Sequence, residues 1–144
     1  MVKPSPKVAT KSKAVTANPK DLFGAVKVSM TKLPGVAILH ASHAMMDGAR
    51  KYGPYNWRDK AVFASVYIDA ALRHMEAWFD REETAADSGV HHLGHAMGCM
   101  AILLDAQETG HLIDDRPNIP GTEAAVSRVL KRLNRAIKRR QGKK

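Results

Sequence analysis

The stretch "DSGVHHLGHAMGCMAILLDAQ", residues 87 to 107, limits the fold more than any other part of the chain. From Leu93 onward it is apolar on nearly every side. A helix of that kind offers no polar face to water and must be surrounded by other elements, so it is predicted to be central. Asp87 or Ser88 supplies the expected N-cap, and the helix is expected to end near Gln107. Three histidines open the segment. At helical spacing, His92 and His95 stand three apart and His91 and His95 four apart, so either pair can face a common point.

Partners for this helix are found by periodicity. In "GVAILHASHAMMDGARKYG", Val36, Leu39, Ala44, Met45, Met46 and Ala49 recur as one broad inner face, and Gly53-Pro54 stops the run. A second helix is predicted from about Lys60 to Phe79, with Val62, Phe63, Val66, Tyr67, Ala70, Met75 and Trp78 facing inward. A last amphipathic helix runs from about Thr122 to Arg139, its apolar side formed by Val126, Val129, Leu130, Leu133 and Ile137 and its other side strongly basic. Neither strand-like alternation nor a repeat of 20 to 50 residues competes with these assignments. The predicted class is all-α: a helical bundle of about four main helices in one domain, residues 20–138, with basic tails at 1–19 and 139–144.

Charge sharpens the division. Across 144 residues the formal net charge is +9. Residues 1–20 hold five Lys and no acid, and residues 122–144 hold nine Lys/Arg against Glu123 alone. The segment between them is net acidic and contains all seven histidines. Cys99 is the only cysteine, which excludes an intrachain disulfide and a thiolate zinc site and points to a reducing compartment. With no apolar run near the ~20 residues that span a bilayer, the expectation is a cytoplasmic protein without membrane contact.

Three groups of residues carry the chemistry. The carboxylates Asp80, Glu82, Glu83 and Asp87 crowd the approach to His92 and His95, and burying imidazoles beside carboxylates is costly without a partner or a purpose. Glu82, Asp87, His92 and His95 are therefore the candidate metal ligands, with Glu82, His92 and His95 the candidate catalytic groups; His91 is read as structural. "RKYGPYNWRDK" places Lys51 beside Tyr52, Asn56 and Trp57: a cation for phosphate, aromatic faces for a base and an amide for its edge. Arg73 and His74, in "DAALRHMEAW", add a second phosphate-holding cation and an imidazole. His40, His43 and Asp47 share another face of the first helix and are read as a polar stripe.

In order along the chain, "NPKD", "MDGARKYGPYNWR", "DAALRHMEAWFD", "DSGVHHLGHAM" and "ILLD" resemble the phage-encoded family of dATP/dGTP diphosphohydrolases. The matching positions are Gly48, Ala49, Lys51, Tyr52, Gly53, Asn56 and Trp57; Arg73, His74, Ala77 and Trp78; and Glu82, Ser88, Gly89, His92, Leu93, His95 and Ala96. The resemblance implies hydrolysis of purine deoxynucleoside triphosphates to monophosphate and pyrophosphate in phage nucleotide metabolism, on a fold like that of the all-α nucleotide pyrophosphatases. Arg81 stands where many members have Gly, Ala85 where many have Asp, and Asp87 where many have Glu. The Glu-x-x-Glu and Glu-x-x-Asp pairs of the all-α pyrophosphatases are absent, so their ligand set does not transfer.

A triphosphate requires hard divalent cations, Mg2+ or Mn2+, and imidazole ligands would favour Mn2+. Two readings compete with hydrolysis: a basic helical accessory protein that contacts nucleic acid through its termini, and a module that binds nucleotide without turnover. A homo-oligomer that completes the bundle is also expected, because the chain is small and its central helix long and apolar.

Overall fold

Alanines and glycines, rather than the large apolar residues, form the closest contacts between helices. The computed structural model describes residues 18 to 142. Its elements, in chain order, are α1 (Pro19–Ala25), a 3-10 turn (Met30–Lys32), α2 (Gly35–Tyr52), α3 (Asn56–Lys60), β1 (Val62–Phe63), α4 (Ala64–Phe79), α5 (His92–Glu108), β2 (Leu112–Ile113) and α6 (Thr122–Gln141). The fold is all-α with four long helices, as predicted. The two short strands pair in parallel, Val62 with Leu112 and Phe63 with Ile113. Residues 1–17 of the expected N-terminal tail, and 143–144 of the C-terminal one, lie outside the described residues.

The chain divides into two units after Gly35. The first contains α1, which starts where the Asn18 side chain accepts a hydrogen bond from the Lys20 backbone N–H at 3.0 Å, and the 3-10 turn.

Within the second unit α5 is central. At Gly94 it approaches the backbone of α2 so closely that an added Cβ would lie 2.6 Å from the His40 carbonyl oxygen; one turn later Gly98 faces Ala44 and Met45. Against α4 the buried contacts are again small, with Ala64 and Ala71 on α4 and Ala96 and Ala106 on α5. Such close backbone approach fixes which residues can be inside. Ala44 is buried and Met45 half-buried, as expected, but Val36, Leu39, Met46, Phe63, Val66 and Met75 are each at least half exposed instead of facing inward. Small side chains allow the helices to meet along their narrow faces, which turns the larger ones outward.

The helix boundaries carry two corrections. Ala61, at φ +56°, breaks the predicted second helix; α3 ends before it and α4 starts only at Ala64, after Val62 and Phe63 have paired with β2. α5 begins at His92, with His91 rather than Asp87 or Ser88 as its cap: His91 Nδ1 accepts from the Leu93 backbone N–H at 3.1 Å. The loop between α4 and α5 is tied by its own backbone, Ala85 N–H to the Val90 carbonyl at 2.9 Å and His92 N–H to that of Glu83 at 3.0 Å. No local helix was available to residues 87–91 once these bonds were made.

α4 ends in a Schellman motif. Arg81 N–H bonds to the Trp78 carbonyl and Glu82 N–H to that of Ala77, both at 3.0 Å, and Arg81 adopts φ +77°. This left-handed position is the one glycine usually takes.

Candidate functional site

The last turns of α2 bring a buried carboxylate to the start of the site. Asp47 is 7% exposed, and Arg50 and Lys51, three and four residues on, both reach it: Arg50 Nη2 to Oδ1 at 2.6 Å and Lys51 Nζ to Oδ2 at 2.7 Å. Lys51 also touches Asp87 Oδ2 of the α4–α5 loop at 3.3 Å. The hydrogen bond from Lys51 is the main reason that the Asp47 carboxyl lies below its ordinary range, with Arg50 adding to it against the opposing effect of burial. The same pairs raise Lys51 above the usual lysine range, Asp47 contributing more than Asp87. Asp47 belongs to the stripe read as merely polar, so its burial and double pairing are a correction; its i,i+4 relation to Lys51 was the available signal.

Trp57 forms the wall. Its ring is buried with Val62 and Ala106, while Met45, Tyr67, Ile102 and Leu112 pack around this cluster. Its Nε1–H donates to Asp105 Oδ2 at 2.6 Å, and Arg58 grips the same carboxylate with two hydrogen bonds, at 2.8 and 2.6 Å. Arg58 first, and Trp57 second, hold the Asp105 carboxyl down to about 2. Asp105 lies 48 residues from Trp57, and no sequence spacing links them. With Trp57 tethered, the free aromatic face is that of Tyr52, which is 70% exposed.

Three imidazoles meet where α4 packs on α5. His74 stacks on His95, ring centroids 4.4 Å apart, and its Nδ1 lies 2.8 Å from Nδ1 of His92. On its other side, buried His92 has Nε2 3.5 Å from Glu82 Oε1, without a hydrogen-bond partner. If His92 carries its proton on Nε2, the side that faces the carboxylate, its Nδ1 accepts, and His74 then donates from Nδ1 and keeps a bare Nε2. Burial is the first cause that lowers His74, with His95 and His92 adding to it, and burial likewise lowers His95. Both are thus neutral near pH 7. His95 Nε2 also meets Ser88 Oγ at 3.0 Å, and His91, on the far side of the helix start, pairs with Glu83 at 3.2 Å.

These elements enclose a cavity of about 260 Å³, near the lower end of ~300–1,000 Å³ for small-molecule pockets. Of the residues singled out by sequence, Lys51, Tyr52, Asn56, Trp57, His74, Asp87 and His95 line it. Glu82, His92 and Arg73 do not: Glu82 and His92 stand behind His74, and Arg73 is exposed on α4. Asp47, Met45, Tyr67, Cys99 and Ile102 also line it and were not foreseen as parts of it. Ala85 is buried in the loop and is not a lining residue.

The four expected metal ligands do not converge. Among the described residues, no group of three or more His, Cys, Asp and Glu side chains stands where it could hold a metal ion. His92 is turned to His74 and Glu82, His95 to Ser88, and Asp87 to Lys51. In the cavity, the carboxylates of Asp47 and Asp87 both reach the Lys51 ammonium. Oxygen donors of this kind suit Mg2+ shared with phosphate.

Fold and cavity together define a small all-α domain with a pocket lined by carboxylates, imidazoles and a lysine. The chain belongs to the family described as dATP/dGTP diphosphohydrolase, N-terminal, whose sequence model matches residues 17–116. No curated protein and no solved structure matches it. No helix among the described residues is long and apolar enough to cross a membrane.

Proposed function

We propose that the protein hydrolyses purine deoxynucleoside triphosphates to the monophosphate and pyrophosphate in the cavity between α2, α4 and α5. One observation carries the reading: seven residues chosen for nucleotide chemistry, scattered from Lys51 to His95, line one cavity. Family membership supports the same substrate class, and a role in phage nucleotide metabolism follows from that resemblance.

In this reading the Lys51 ammonium takes the phosphate oxygens, the exposed ring of Tyr52 stacks on the purine, and the Asn56 amide reads its edge. Trp57 keeps the wall rigid through Asp105. The four charges of Asp47, Arg50, Lys51 and Asp87 cancel, so a triphosphate with its ~four negative charges needs a further cation. Asp47 and Asp87 would hold Mg2+, which supplies charge neutralisation at the phosphates.

The bare Nε2 of neutral His74 accepts the proton of the attacking water. Its oxygen bonds to the phosphorus next to the sugar as the bond to the pyrophosphate group breaks. His92, backed by Glu82, positions His74 and disperses the positive charge it acquires. Purified protein incubated with each deoxynucleoside triphosphate and Mg2+ or Mn2+ should release pyrophosphate and monophosphate from dATP and dGTP. Tight nucleotide binding without any product would leave a binding module and overturn hydrolysis. Glu82→Gln should lower the rate, because His74 loses its aligned tautomer.

A further inference from the structure

α4 and α6 carry the same apolar pattern and leave it uncovered. On α4, Ile68, Leu72, Met75 and Phe79 follow one another at i, i+4, i+7 and i+11, in a row beside buried Ala64 and Ala71, and are 40 to 80% exposed. On α6, Val126, Leu130, Leu133 and Ile137 repeat that spacing, with Val129 beside them, and no residue of the helix is buried. Each stripe is roughly 16 Å long at 1.5 Å per residue. Their charges are opposite. Asp69, Glu76 and the C-cap Asp80 follow three stripe residues of α4 and Arg73 follows the fourth, which leaves that flank net negative, whereas Lys131, Arg132, Lys138 and Arg139 flank the stripe of α6.

We propose that α6 of one copy docks along the outer stripe of α4 of a second copy, forming a two-fold dimer. Pairing α4 with α4 would set carboxylates against carboxylates, and α6 with α6 would set cations against cations; only the crossed arrangement is complementary. A two-fold axis makes the contact twice and leaves neither stripe open, so the assembly closes at two chains. Two helix pairs with eight large side chains each reach the roughly 1,200 Å² at which specific interfaces become stable. An amphipathic cationic helix can also lie on an anionic membrane, but that would leave the matching stripe on α4, with its acids, unexplained. Nucleic acid would engage the basic side and leave the apolar one bare.

The test uses the full chain. Its mass by light scattering is expected at twice 15.8 kDa, and Leu133→Asp and Leu72→Asp should each weaken the dimer at least tenfold while far-UV circular dichroism stays unchanged. In a Cys99→Ser background, Leu72→Cys mixed with Leu133→Cys should yield a disulfide-linked dimer on oxidation. Placing both substitutions in one chain separates the alternatives: linkage between chains supports the exchange, whereas linkage confined to single monomers overturns it. A monomeric mass at micromolar concentration also overturns it, as does a monomer whose α6 binds phosphatidylglycerol vesicles and loses that binding in Leu133→Asp.

Discussion

α5 and α6 differ in a way that reverses the usual inference from amphipathicity. α5 has little distinction between its faces and is the most enclosed helix of the second unit, with His92, Gly94, Ala96, Gly98 and Ala106 buried. α6 divides sharply into an apolar and a basic side, yet buries nothing. A periodic pattern states what a helix can bury; whether the same chain supplies a surface to receive it is a separate matter. α5 finds its receiving surfaces in α2 and α4, and the cavity lined by Lys51, His74 and His95 lies beside it.

That contrast can be broken most severely through activity. Lys51→Ala and His74→Asn should each lower pyrophosphate release about 100-fold or more, the usual scale for removing a transition-state cation or a general base, while Arg135→Ala on the basic side of α6 should leave the rate unchanged. Equal rates in all three would detach the chemistry from the cavity.

Stability gives the next test. Gly94→Ala forces a methyl into the His40 carbonyl and should cost about 2 kcal/mol or more by urea unfolding. Asn134→Ala, a comparable small change on exposed α6, should stay within about 0.5 kcal/mol. A tolerated alanine at Gly94 would mean that α2 and α5 are not in close contact.

The effect of pH is smaller and has a defined sign. His74 and His95 are both lowered from 6.5, first by burial, so the unfolded chain takes up protons more readily. Their stabilising contribution is fully present above pH 6.5 and declines as pH falls from there towards the folded values. Thermal unfolding between pH 7.5 and 5.5 should record this fall, and His74→Asn should reduce it. Smallest of all, Arg81→Gly relieves the φ of +77° at the end of α4 and should raise stability by about 1 kcal/mol; a loss would show that the arginine side chain makes a compensating contact.

How far the sequence reached depends on the range of the interaction. The C-terminal end of α2 was legible because Gly53-Pro54 is local punctuation, and the central place of α5 because its composition allowed no other. The start of α5 was misplaced: Ser88 could cap a helix, but its hydroxyl accepts from Val90 N–H and meets His95, and His91 became the cap. Lys51, Asn56, His74 and His95 could be chosen by residue type. Asp105 could not, since nothing in the neighbourhood of Trp57 announces a carboxylate 48 residues away.

By itself the sequence determined the helical class, the central helix, the family and the residue types of the pocket, all of which follow from periodicity, composition and ordered motifs. Only tertiary structure decided that Asp47 is buried between two cations, that His92 and Glu82 stand behind His74 rather than around a metal, and that the large side chains of α4 and α6 face outward. The reason is physical. Periodicity and capping act over a few residues, whereas a shared carboxylate, a stacked imidazole or a glycine crossing exists only once distant segments have been brought within a few ångströms of each other.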